Sequence, residues 1–270
     1  MKERSSTIKV LRTSILVLAV LFLMVGMCYT QSEELDMVLI PAGEFLMGST
    51  DGYPEEEPVH KVYLDDYYID KYEVTNEEFC QFLNKEGNQV EDGDFWLNIY
   101  RRVCLIECIN GKYQPEPGYE NHPVVCVNWY GVRAYARWAG KRLPTEAEWE
   151  KAARGGLVVG KKYPWGDEDP DGSQCNFADK KTSFFSALWW RSKAADDGYR
   201  MTAPVGTYSP NGYGLYDMAG NVWEWVSDWY HNDDDNYYAC SSYKNPQGPG
   251  SGSWRVCRGG SWGSDAFRLR

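Results

Sequence analysis

Hydrophobic and polar positions change rhythm several times along this chain. Behind a leader carrying Lys2, Arg4, Lys9 and Arg12 comes an unbroken apolar stretch, Ile15 to Met27. It is shorter than the roughly 20 residues a helix needs to span a bilayer, so residues 1–30 have the layout of a signal peptide. No small-x-small cleavage site precedes Gln31, and Val25-Gly-Met-Cys28 departs from a lipoprotein site at Met27. A lipoprotein or an uncleaved N-terminal anchor therefore stays open beside plain export. Met37–Ser49 then reads as two short strands around a Pro-Ala-Gly turn, and His60–Asp70 as another strand pair with alternating faces. Thr75 with Glu78 makes a capping box ahead of Phe79, Phe82 and Leu83, whose i, i+3, i+4 spacing predicts a helix. Residues 85–120 have no clear period and are expected to form long loops. Asn128 predicts the cap of a second helix that runs to Trp138 and stops at Gly140. Thr145 and Glu148 form a second capping box, and Gly155-Gly156 closes the helix it opens. Turns and short strands are expected from Tyr163 onward. With helices early, short strands late and no βαβ alternation, the chain after its leader reads as one α+β domain. Regular structure is expected to be sparse, with two to three helices.

Composition sharpens this. The sequence holds 26 Gly, 12 Trp and 20 Tyr, which suits a fold whose irregular loops are held together by large flat rings. Net charge is −11, and losing a leader with four bases and one acid takes it to −14. An acidic domain without a basic stripe repels phosphate backbones and anionic lipid. No nucleic-acid partner is expected, and membrane contact only through the N-terminal segment. Seven of the 8 cysteines lie after the leader, an odd number, so at least one has no intrachain partner. Cys104-x-x-x-Cys108 has no accompanying CxxC and reads as a loop staple or two unpaired thiols rather than a metal site.

One stretch fits neither an amphipathic helix nor an alternating strand: Asn211-Gly-Tyr-Gly-Leu-Tyr-Asp-Met-Ala-Gly-Asn-Val-Trp-Glu-Trp-Val-Ser-Asp-Trp-Tyr230. Together with Arg255-Val-Cys-Arg-Gly-Gly-Ser-Trp262 it resembles the formylglycine-generating enzyme (sulfatase-modifying factor) family. Further motifs agree in order: Ile40-Pro-Ala-Gly-Glu-Phe-Leu-Met-Gly48, Glu73-Val-Thr-Asn-Glu77, His122-Pro-Val-Val125, Lys141-Arg-Leu-Pro-Thr-Glu-Ala-Glu-Trp-Glu150, Tyr163-Pro-Trp-Gly166 and Pro204-Val-Gly206. The resemblance covers residues 37–270 and implies an irregular α+β fold related to C-type lectins. It also implies a further Gly-Phe-Arg strand beyond Arg270, so the domain reads as truncated at its C-terminus.

The resemblance also implies sites. Structural Ca²⁺ would fall on Asn176, the Phe177 carbonyl, Asp197 and the Tyr199 carbonyl. A second ion would fall on Asp217, the Gly220 and Val222 carbonyls, and Glu224. Oxygen donors of this kind suit a hard cation, and Asp217, where relatives often have Asn, adds charge. The bland alternative is that these acids cap turns while the tryptophans pack. Family enzymes oxidise a sulfatase cysteine in a Cys-x-Pro-x-Arg segment with O₂ and Cu(I) held by two cysteines. Here those two positions are Ser264 and Leu269, so Cu(I) is not expected, and Cys257 in the preceding strand is the one substitute thiol nearby. Ser261 matches the family's active-site serine. His60, His122 and His231 are scattered without HxxxH or HExxH spacing, and His122 before Pro123 reads as ordering a turn. No Gly-Lys-Ser/Thr phosphate loop occurs. Asp233-Asp-Asp235 reads as a solvated loop ahead of a third cation site.

Two functions follow, beside a third in which the chain is a partnering subunit that binds sulfatases without oxidising them. One is an exported (periplasmic or secreted) member of the family that lacks its copper cysteines and has a protein or peptide partner, a sulfatase among the candidates; whether it still catalyses is open. The other is a C-type-lectin-like binding module for peptide, glycan or partner protein, with Asp265, Phe267 and Arg268 as exposed contacts.

Overall fold

The computed structural model describes residues 37–156, 161–182, 190–230 and 237–270. The N-terminal segment read as a signal peptide, His231 and Asp233–Asp235 lie outside the described residues. No helix among the described residues is long and apolar enough to cross a membrane.

The first structure is a ribbon. β1 (Met37–Ile40) pairs antiparallel with β4 (Tyr67–Asp70), and β2 (Gly43–Met47) with β3 (His60–Leu64). The expected strands are present, but β1 and β2 do not pair with each other. Pro41 explains why. A two-residue hairpin needs positive φ at its first central position, and the proline ring holds φ near −65°. The chain therefore continues past Pro41–Ala42 instead of reversing. Ile40 faces Tyr67 and, beyond the break, Gly43 faces Leu64, so both ladders share one register.

Three helices begin where the caps predict. α1 (Asn76–Glu86) starts at Thr75, whose side chain accepts from the Glu78 amide while Glu78 reaches back to the Thr75 amide. Its Phe79, Phe82 and Leu83 are buried, as the spacing requires. α2 (Trp129–Trp138) is capped by Asn128, and Gly140 at φ +72° ends it while the Lys141 amide reaches back to Ala136 O. α3 (Glu146–Ala153) repeats the reciprocal box with Thr145 and Glu148. Within the stretch expected to be loop, two small hairpins form: β5 (Val90–Glu91) with β6 (Asp94–Phe95), and β7 (Ile106–Ile109) with β8 (Lys112–Pro115). Their turns use Asp92 and Gly93, and Asn110 and Gly111, all at positive φ. Late in the chain β9 (Glu224–Tyr230) pairs with β10 (Trp254–Arg258) across a bulge between Arg255 and Cys257, and a single helical turn, α4 (Tyr237–Cys240), lies between them in sequence.

These elements enclose three cores. Ile40, Val62, Leu64, Trp149, Leu215 and Val226 join the ribbon, α3 and β9. Phe79, Phe82, Leu97 and Tyr135 fill the space between α1 and α2. Tyr163, Phe177 and Leu269 form the third. The fold is α+β with little regular structure, as expected.

Thr145→Ala removes the side-chain acceptor of a buried capping box. It should destabilise by about 1 kcal/mol, lowering the calorimetric Tm by roughly 2–4 °C.

Candidate functional site

The turn Gly220-Asn221-Val222 organises the site. Asn221 is fully buried at φ +53°. Its amide nitrogen Nδ2 donates to Glu73 Oε2 (2.6 Å) and Ala203 O (3.3 Å). Its Oδ1 accepts from the Ala203 amide (2.9 Å) and Asn176 Nδ2 (3.3 Å). Its own backbone N–H donates to Asn176 O, and its carbonyl accepts from the Trp262 amide, both at 2.9 Å. Gly220 beside it has φ +86°, and a Cβ there would lie 2.1 Å from Asn176 O. Neither Asn221 nor Glu73 stood out as a site residue in the sequence. The available signal was the Gly-Asn pair and an acid before the capping box that the box itself does not use.

Glu73 also accepts from the Val222 amide (3.1 Å). Burial holds its carboxyl well above the usual range, and Asp217 and Glu224 push the same way. Asp217, at φ +55°, accepts the Gly206 amide on Oδ2 (2.7 Å), while its Oδ1 is buried without a hydrogen-bond partner. Burial pushes Asp217 up to about 6. Glu224 accepts from Trp149 Nε1 (3.1 Å) and is pushed up to about 7, by burial first and then by Asp217 and Asp70. Asp217, Gly220, Val222 and Glu224 thus gather at one turn. Among the described residues no three His, Cys, Asp or Glu side chains converge as a metal cluster. A cation here would have two carboxylates and main-chain carbonyls, a donor set that fits Ca²⁺ and that the orphaned Asp217 oxygen leaves incomplete.

In the other predicted set Phe177, Asp197 and Tyr199 meet, through backbone amides rather than the carbonyls expected as donors, while the Asn176 amide bonds outside the set. The Phe177 and Tyr199 amides donate to the Asp197 carboxylate at 3.0 and 2.8 Å, and Asn176 Nδ2 donates to Met201 O (2.7 Å). Burial pushes Asp197 up to about 6, and neighbouring Asp179 and Asp196 add to that.

The C-terminal motif meets this region from β10. Arg255 lies over the rings of Trp129 (3.8 Å) and Trp229 (3.3 Å) and donates to Ser227 O (2.6 Å). Arg258 pairs with Glu150 (3.1 Å), which also holds Arg154 (2.6 Å) and accepts from the Gly48 amide (2.9 Å). Ser261 and Ser264 close a small turn: the Ser261 amide donates to Ser264 Oγ (3.0 Å), the Ser264 amide to Ser261 O (2.9 Å), and the two hydroxyls lie 3.3 Å apart. Leu269 is fully buried in the third core. A hydroxyl committed to its own turn and a packed hydrocarbon give Cu(I) no soft ligand. Cys257 does line the same cleft as Ser261 and Trp262. Burial pushes its thiol up to about 12, so little thiolate is present near neutral pH.

That cleft has a volume of about 1070 Å³ and runs between β4, the 124–127 segment and the Val222–Trp225 stretch. Of the described histidines, neither His60 nor His122 lines it. His122 Nδ1 lies 2.9 Å from Thr202 Oγ1, and its carbonyl receives the Asn76 amide at the start of α1, so it orders a turn. His60 contacts Pro58 O (3.0 Å). Cys104 is buried and Cys108 exposed on β7, so the two do not staple a loop. Phe267 and Arg268 are exposed, whereas Asp265 is half-buried with its Oδ1 unpartnered.

Comparisons with known proteins agree with the family resemblance and the fold. The family model described as "Sulfatase-modifying factor enzyme 1-like domain" matches residues 27–270. The formylglycine-generating enzyme of Streptomyces coelicolor is 42% identical over 257 residues, covering 83% of this chain and 78% of that protein. The serine/threonine-protein kinase pkn1 of Chlamydia pneumoniae is 44% identical over 238 residues, covering 87% of this chain. The chain spans only about a third (34%) of that kinase's length. Among solved structures, PvdO from Pseudomonas aeruginosa has a TM-score of 0.64 at 32% identity, covering 87% of this chain and 85% of that one.

The raised acids carry a pH signature. Asp197 and Asp217 start from 3.8 and Glu224 from 4.5, and all three titrate higher when folded. Between those values the folded chain holds more protons than the unfolded one. Their contribution to stability is therefore full at acid pH and lost as pH rises through about 6 to 7. In chelator, Asp217→Asn should gain Tm over the parent by a margin that widens between about pH 5 and 8. A margin independent of pH in differential scanning calorimetry would contradict this.

Proposed function

The chain belongs to the sulfatase-modifying factor (formylglycine-generating enzyme) family, and from that premise we propose that it is an exported member which binds a sulfatase-type protein or peptide in its cleft without copper-dependent oxidation. The carrying observation is the pair Ser264 and Leu269 at the positions matching the family's copper cysteines. One hydroxyl belongs to a closed turn and one side chain is wholly buried hydrocarbon. Cys126 and Cys257 are the thiols on the cleft wall, and the raised proton affinity of each works against it as a soft ligand.

The same reading keeps structural Ca²⁺. Asn176, Phe177, Asp197 and Tyr199 would hold one ion, and Asp217, Gly220, Val222 and Glu224 the other. Bound cations offset the repulsion and burial cost carried by Asp197, Asp217 and Glu224. A second reading, the C-type-lectin-like binding module for peptide, glycan or partner protein, draws support from Phe267 and Arg268. Both are exposed at the tip of the motif, Phe267 edge-on to Tyr53 at 4.8 Å and Arg268 paired to Asp265 at 3.2 Å.

The test of chemistry uses the full chain loaded with Cu(I) and Ca²⁺ and incubated in air with a Cys-x-Pro-x-Arg peptide. Mass spectrometry should find the cysteine unchanged while a formylglycine-generating enzyme control converts it; conversion to the aldehyde overturns the proposal.

Calcium is tested separately by thermal scans. Ca²⁺ should raise Tm by several degrees at about pH 8 and by much less at about pH 5, where protons compete for the same oxygens. Asp217→Asn should shrink the effect, and identical scans in Ca²⁺ and chelator at the higher pH would sink the idea.

A further inference from the structure

Three cysteines meet in the core between α1 and α2, away from the copper-matching positions. Cys80 on α1 and Cys104 are buried there, and Cys126 packs against them from the segment before α2. Cys104 and Cys126 are neighbouring thiols in this cluster, and Cys104 Sγ donates to Ile106 O (3.6 Å).

An independent observation comes from the backbone. Six non-glycine residues among those described have positive φ: Asp92, Asn110, Cys126, Asp217, Asn221 and Asn245. Five are Asp or Asn, whose short polar side chains tolerate the left-handed region. Cys126, at φ +65°, is the exception and has no such compensation. The strain is locked in, because Cys126 O accepts from the Asn98 amide (3.0 Å) and the next residue, Val127, bridges to Leu97. Glycine would sit at this position without strain, so a side chain there is explained by what its sulfur does.

We propose that Cys104 and Cys126 form a disulfide when the protein meets a low-molecular-weight disulfide, with Cys80 left as a buried free thiol. The reaction balances by exchange. One cysteine thiolate attacks the small disulfide and releases its first thiolate. The second cysteine then attacks the mixed disulfide, releasing the other thiolate and closing the Cys104–Cys126 bond. The two protons lost from the cysteines end on the two departing thiols. Cys80 stays out because the side-chain neighbour of Cys104 is Cys126 and not Cys80. The bond closes a loop that carries the β7–β8 hairpin and the Glu120 and His122 carbonyls that receive the first amides of α1. It also pins Val124 to Val127, one wall of the cleft. The inference does not depend on what the cleft binds.

The full chain is equilibrated with oxidised glutathione, alkylated in denaturant without reductant, digested and mapped. We expect a single Cys104–Cys126 linked peptide that is absent after dithiothreitol, and an unchanged link in Cys80→Ser. Alkylation of both cysteines, or a link from either one to another cysteine, overturns the proposal. Cys126→Gly removes the sulfur while suiting the left-handed backbone, which separates bond from strain. In dithiothreitol it should melt at or above the parent; in oxidised glutathione it should melt below it by roughly 5–10 °C. Equal ranking of the two proteins in both buffers would mean that the thiol forms no stabilising bond.

Discussion

Everything around the candidate site depends on one buried amide. Asn221 uses both faces of its side chain and both its backbone groups to hold Glu73, Asn176, Ala203 and Trp262. These lie in four separate stretches of the chain, none joined to another there by a long sheet or helix. In a fold built of two-stranded ladders, such a satisfied polar centre does the work that a continuous sheet does elsewhere. Replacing it by a hydrocarbon would leave the Glu73 carboxyl and several backbone groups buried without partners.

Packed against this centre are two kinds of position with opposite character. Asp197, Asp217 and Glu224 are acids forced into burial with their ordinary proton affinity disturbed, and Asp217 keeps one oxygen without a partner. Ser264 and Leu269 are at rest: one is bonded within its turn and the other is packed on Phe177 and Tyr163. Chemical tension in this domain thus sits at the oxygen-rich loops and not at the C-terminal motif.

What could be read in the sequence was local. Thr75, Asn128 and Thr145 announced their helices because a cap and its partner lie within one turn of each other. The strands of the ribbon were visible in their alternation, but their pairing depended on Pro41 forbidding the tight turn. Residues 85–120 looked shapeless because each hairpin strand there is only two to four residues long, too short for a period to show. The candidate cation residues were named only through resemblance to a family, since no local pattern in the sequence marks them. Asn221 and Glu73 escaped notice because their partners are some 150 positions apart (|i−j| = 148), a separation that no local pattern reports. The meeting of Cys104 with Cys126 is hidden for the same reason.

The ribbon has a further consequence. Because β1–β4 and β2–β3 share one register across the gap, residues 41–42 on one side are spanned by residues 65–66 on the other. A single residue inserted on either side alone would turn every side chain of one ladder to the opposite face, exposing Ile40 or Val62 and burying Leu39 or Lys61. Length changes at this corner can therefore be inherited only in matched pairs. In the history of such a chain, Pro41 and Asp65 mark two places where an insertion or deletion on one side demands its counterpart on the other.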